Sequence, residues 1–190
     1  MKKSVKIILC VLLAVVIIAG CVTYALLPHS LNFDMNNIVH TDSLLEIVDE
    51  TEDSVTVKKE DGSVKVLMFT DMHLDGKNKT SEVTVSHLVD SIINEKPDLV
   101  ILGGDNVTSA LNKKRCEQFA QIFDNLGVYW AGVLGNHEGD NTFSIKRDEM
   151  VDIFSSYDHC LMRKGPADVW GNCNYALVIL NEDHSVKHTF

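Results

Sequence analysis

Three short polar motifs, each directly after an apolar run, constrain this chain more than any other feature. Val64–Thr70 ends in Asp71-Met72-His73, Leu99–Leu102 in Gly103-Gly104-Asp105-Asn106, and Val128–Leu134 in Gly135-Asn136-His137-Glu138. The apolar runs are short and β-prone, as expected for strands buried on both faces. Between them lie segments with helical period. Over Ser81–Glu95, Val85, Leu88, Val89, Ile92 and Ile93 share one face, and Pro97 stops the pattern. Over Lys113–Leu126, Cys116, Phe119, Ala120 and Phe123 face inward, and Asn125 and Gly127 close the helix. A third helix is expected over Ser144–Phe154 and a further strand over Asn174–Leu180. Alternating strands and helices predict an α/β fold with a parallel sheet and helices on both faces. Val55–Lys59 and Val64–Thr70, separated by Asp61-Gly62, predict a hairpin. Trp130 is expected in the core, and His87 at the boundary of its helix.

In an open α/β sheet, ligands gather at the C-terminal edge of the strands, where these motifs sit. Asp71 and His73 are separated by one residue, so on an extended segment their side chains share a face. Asp105 follows two glycines, which let the backbone turn sharply and come close to a charged centre. Asn136 offers a neutral amide oxygen, and His137 an imidazole that ligates or exchanges a proton. Carboxylate, amide and imidazole donors together suit Mn, Fe, Zn, Co or Ni.

The order Asp-x-His, Gly-Gly-Asp-Asn, Gly-Asn-His-Glu resembles the first three signature motifs of the calcineurin-like metallophosphoesterases, over about Val64 to Leu180. The resemblance implies a β-sandwich flanked by helices. It also implies a centre of two divalent or trivalent metal ions that hydrolyses phosphomonoesters or phosphodiesters through a two-metal-activated hydroxide. Carried over residue by residue, Asp71 and His73 would bind the first ion, Asp105 would bridge both, and Asn136 would bind the second. His137 would protonate the leaving group. The family pattern continues with an isolated His and then Gly-His-x-His. The histidines after His137 are His159, His184 and His188, and none has that context. His184 is expected in a turn over Asn181–Ser185, and both it and His188 as exposed loop residues. The reading is of an incomplete, N-terminal portion of the domain, weakly active or inactive alone. The alternative is a non-catalytic, membrane-tethered remnant or binding module of the same fold.

Ile7–Leu27 is a run of 21 uncharged residues preceded by Lys2, Lys3 and Lys6. As a helix it spans about 30 Å, the hydrocarbon thickness of a bilayer. The flanking lysines favour a cytoplasmic N-terminus and an extracytoplasmic domain. An uncleaved signal anchor, a cleaved signal peptide, and a lipoprotein signal ending at Cys21 all remain open. Against the last, Val22–Leu27 stays mostly apolar after the cysteine. The organisation expected is a signal anchor or signal peptide over 1–28, a linker with the first hairpin strand over 29–62, and the phosphoesterase domain over 63–190.

Charge narrows the partners. With the three leading lysines set aside, 14 basic residues face 27 acidic ones, a balance of −13. Such a surface repels a phosphate backbone, so nucleic acid is not an expected partner, and a phosphate-ester site here needs cations. The five cysteines form no Cys-x-x-Cys pair, which argues against a zinc knuckle or a thioredoxin-like site. Cys160 and Cys173 are compatible with a disulfide in an exported domain and equally with buried free thiols.

Overall fold

The structure is a computed structural model that describes residues 3–26, 31, 33–34, 41, 44–59, 63–76 and 79–190. Helix α1 spans Lys3–Leu26. Within it Ser4–Tyr24 has a mean hydropathy of 3.0 and buries no residue, so it is long and apolar enough to cross a membrane.

The domain holds two sheets. Strands β3 (Val66–Phe69), β4 (Leu99–Leu102) and β5 (Tyr129–Gly132) form a parallel sheet in the order β3-β4-β5. Helices α2 (Lys79–Glu95), α3 (Lys113–Leu126) and α4 (Arg147–Ser155) complete this part. The second sheet is mixed, in the order β1-β2-β6-β7. It is built from β1 (Glu46–Glu50), β2 (Ser54–Lys58), β6 (Ala176–Leu180) and β7 (Val186–Thr189). There β2 and β6 run parallel, while β1 and β7 flank them antiparallel.

The period-2 alternation of β4 explains the layering. Val100 and Leu102 belong to the core cluster that holds Val85, Leu88, Phe119, Phe123, Met150 and Phe154 from the three helices. Leu99 and Ile101 belong to a second cluster with Val55, Val57, Leu177 and Ile179 of the other sheet. The parallel sheet therefore carries helices on one face and a sheet on the other, which makes a sandwich. This corrects the expectation of helices on both faces. An apolar run says that both faces are covered, but not by what. Trp130 stands at the centre of the helical side, fully buried and stacked on Phe123 at 4.9 Å, with Phe154 edge-on at 5.4 Å. Burying a ring of that size and pairing it with aromatics makes it a main contributor to the core. His87 is exposed on α2.

The expected hairpin does not form. β2 pairs with β1 and β6, and β3 pairs with β4. The chain crosses from one sheet to the other between β2 and β3, and the Asp98 carboxylate ties both ends of that crossing, lying 3.0 Å from Lys59 Nζ and accepting the Lys65 amide at 2.7 Å. Asp61-Gly62 lies outside the described residues. The hairpin instead joins β1 to β2, where the Thr51 amide donates to the Ser54 carbonyl at 2.8 Å. The stretch read as a linker thus also holds strand β1.

Helix α3 has the bounds its pattern predicts, and Gly127 caps it at φ 67°. Helix α4 starts later than expected. Ser144 and Ile145 are held elsewhere, by the Ser144 hydroxyl on the Ser109 carbonyl (2.9 Å) and the Ile145 amide on Asn112 Oδ1 (3.1 Å). Cys116, Cys160 and Cys173 are buried free thiols.

Candidate metal centre

The backbone ladder between β3 and β4 continues past the strand ends. The amides of Asp71, His73 and Leu74 donate to the carbonyls of Gly104, Asp105 and Asn106 at 3.0, 2.9 and 2.8 Å. The first two motifs therefore run side by side. Asp71, His73 and Asp105 all adopt left-handed backbone conformations, with φ of 56°, 47° and 54°. For a residue with a Cβ this conformation costs about 1–2 kcal/mol. Asp71-Met72-His73 is thus not the extended segment the spacing suggested, and its two side chains converge by another route. One carboxylate oxygen each of Asp71 and Asp105 and a ring nitrogen of His73 lie within 4.8 Å of one another. His73 Nε2 is 3.9 Å from Asp71 Oδ1. Asp71 and His73 are exposed and Asp105 is half-buried.

The third motif closes on this group. Gly104, at φ 99°, and Gly135 are in close approach, and a Cβ on Gly104 would stand 2.5 Å from the Gly135 amide nitrogen. A Cβ on Gly135 would meet Asp105 Oδ1 at 2.2 Å, so only glycine fits there. The His137 amide donates to the same oxygen at 2.7 Å. The His137 ring lies 5.3 Å from that of His73, centroid to centroid. Asn136 sits between these two contacts, exposed, with its carbonyl accepting from Arg147 Nη2 at 3.2 Å. A cleft of about 350 Å³ opens here, lined by His73, His137, Asp140, Thr108 and Ser109 among others.

Two residues without a role in the sequence reading belong to this site. Asp140 Oδ2 lies 2.5 Å from His137 Nδ1. Glu138 is buried, and its carboxylate accepts the amides of Asp105 (3.0 Å), Asn106 (2.6 Å) and Gly135 (2.8 Å). Burial pushes its pKa up, against the lowering effect of those amides. The signal for Glu138 was present, since it is the last residue of the third motif.

The other histidines lie elsewhere. His159 Nδ1 is 3.0 Å from Asp124 Oδ1, and its ring abuts Tyr129 at the N-terminal end of β5, away from the motif end. His184 sits in the expected turn, where the Asn181 amide donates to the Ser185 carbonyl at 2.9 Å. His188 is exposed but stands in strand β7 opposite Ile179, not in a loop.

The donors fit a metal ion. Two carboxylates and an imidazole converge on one point, a set suited to hard and borderline cations. All three are held in strained backbone, a pattern concentrated at functional sites.

Residues 64–186 match the model of the calcineurin-like phosphoesterases. The chain belongs to that family. This calcineurin-like chain is 32% identical over 143 residues to a protein of Arabidopsis thaliana named probable inactive purple acid phosphatase 14, covering 63% of the chain and 35% of that relative. It is 26% identical over 125 residues to probable inactive purple acid phosphatase 28 of the same plant, covering 57% and 31%. It spans about a third of the length of these curated relatives. No solved structure matches it.

Proposed function

We propose that this domain is a metal-dependent phosphoesterase in which Asp71, His73, Asp105 and Asn136 hold two divalent or trivalent ions and His137 is the proton donor to the leaving group. The observation that carries this reading is the convergence of Asp71, His73 and Asp105 in left-handed backbone at the strand ends. Bound metal supplies Lewis-acid stabilisation of phosphoryl charge and an acidified water. The chain's own residues orient the reaction. The Asp105 carboxylate engages the His137 amide through Oδ1 and keeps lone pairs for an ion. With Nδ1 of His137 against Asp140, Nε2 is the nitrogen left to give a proton to the leaving oxygen. Substrates are phosphomonoesters or phosphodiesters. On this reading the present chain alone is weakly active, and an inactive chain belongs to the non-catalytic alternative, toward which the names of its two relatives lean. On this reading the domain is tethered by helix α1 to the extracytoplasmic side of a membrane, with secretion or lipid anchorage as alternatives; the length and apolar composition of Ser4–Tyr24 support it.

The test pairs Mn²⁺ binding, by calorimetry, with hydrolysis of bis(p-nitrophenyl) phosphate, for the parent chain and Asp105→Asn. Binding and hydrolysis that are both lost in Asp105→Asn support the enzyme. Binding without hydrolysis favours a non-catalytic remnant of the fold. A parent chain that binds no Mn²⁺ removes the metal reading altogether.

A further inference from the structure

The two junctions of the site are built differently. Between the Asp71–Leu74 and Gly104–Asn106 loops, three backbone hydrogen bonds carry the sheet ladder onward. Between the Gly104–Asn106 and Gly135–His137 loops, the last backbone bond is from the Val133 amide to the Leu102 carbonyl at 3.0 Å. Beyond it, among the described residues, side chains make the joint. One is the Asp105 carboxylate on the His137 amide. The other is Glu138, whose Oε2 accepts the amides of Asp105 and Gly135 while Oε1 accepts that of Asn106. If Asp105 is a metal ligand, its oxygens are shared with the ion, and Glu138 is the joint that remains free of that duty.

We propose that Glu138 is a positioning residue that stands in for the missing strand ladder and fixes the distance between Asp105 and the Asn136–His137 loop. This rests on the metal reading of the site for its function, though not for its geometry. The carboxylate suits the task because it is acceptor-only, with room for three N–H groups. A glutamine in its place cannot do the same. If the amide nitrogen faces Asn106, one acceptor is lost and two donors confront each other. If it faces Asp105 and Gly135, the one acceptor that served both amides is lost, and two hydrogen bonds with it. An aspartate keeps the charge but falls a methylene short of the loops.

The experiment is amide hydrogen exchange, read by mass spectrometry on overlapping peptides of the full chain in detergent without metal, followed by Mn²⁺ titration. The variants are Glu138→Gln, Glu138→Asp and a control, Val151→Ala, which opens the helical core at a buried apolar residue of α4. In both Glu138 variants, protection falls at least about tenfold over the Asp105, Asn106 and Gly135 amides while β4, β5 and α3 stay protected. Mn²⁺ affinity falls by about 10- to 100-fold, the usual range for residues that orient ligands. Unchanged protection at those three amides overturns the proposal. So does a loss spread over the whole domain, or an equal loss of Mn²⁺ affinity in Val151→Ala, since either makes Glu138 merely structural. A parent chain without Mn²⁺ affinity defeats the metal reading, while the exchange data still decide whether Glu138 joins the loops.

Discussion

Asp140 Oδ2 and His137 Nδ1 stand 2.5 Å apart, three residues from each other in sequence and both exposed at the cleft. An exposed pair of this kind adds little to stability. Its consequence is orientation, since it fixes which ring nitrogen faces the cleft. On the proposal that His137 is the proton donor, Asp140→Asn is expected to reduce the weak kcat for a phosphodiester by about tenfold or more, with KM and melting temperature nearly unchanged, because proton transfer by a positioned group contributes about 10²–10⁴. Steady-state kinetics with matched thermal melts check this. An unaltered kcat would reduce the pair to a surface contact.

Gly135 has no room for a methyl group, since its Cβ would overlap Asp105 Oδ1. Gly135→Ala forces the two loops apart. Expected are a loss of about 1–3 kcal/mol in urea unfolding and a Mn²⁺ affinity lowered at least tenfold by calorimetry. A variant that binds like the parent would show that the loop spacing is not critical.

The sheet-on-sheet interface gives a third expectation. Ile179 is 2% exposed between the sheets, whereas Val48 on β1 is 42% exposed. Ile179→Ala should cost about 2–5 kcal/mol and Val48→Ala within about 0.5 kcal/mol, as read from denaturant midpoints. Equal small effects would mean that the second sheet does not pack on the first.

Burial pushes the thiols of Cys116 and Cys160 up to about 12 and that of Cys173 to about 11, from an ordinary 9.0. A raised thiol stabilises the fold fully below pH 9 and loses that contribution as pH climbs through the raised values. The urea midpoint should therefore fall above about pH 9, and less so in Cys160→Ala. At pH 8 the native protein should leave all three thiols unalkylated by iodoacetamide, and urea should expose all three. With Cys10 and Cys21 also free, five thiols should be alkylated in urea, and two fewer would reveal a disulfide.

How much of this was legible beforehand depended on whether the cause was local. Leu99–Leu102 and the face of Lys113–Leu126 declare themselves through composition and period. So do the three motifs, because turn-forming and ligating residues at strand ends are written contiguously. Strand β1 was invisible, since Glu-Ile-Val-Asp-Glu is an acidic, mostly exposed edge without a clean alternation. The partner of β2 was invisible too, because Val55 finds Leu177 across more than a hundred residues and no local pattern specifies that pairing. At the site, residue types were readable and backbone conformation was not. The left-handed turns at Asp71 and His73 and the reach of Glu138 to three amides are products of packed loops.

Helix α1 sets the last expectation. Its described residues from Ser4 to Tyr24 bury nothing against the domain. The full chain should sediment with membranes and resist an alkaline carbonate wash, and residues 29–190 should not. Release of the full chain by carbonate would argue against a spanning helix.

The left-handed conformations of Asp71, His73 and Asp105 bear on how this protein can be improved or eroded. Any selection for thermal tolerance alone will favour glycine at these positions, because it has no Cβ to clash in the left-handed conformation. Each such replacement would remove an acid or imidazole donor. A library sorted on heat resistance would thus drift toward sturdy, silent proteins, and the drift would start at these three positions.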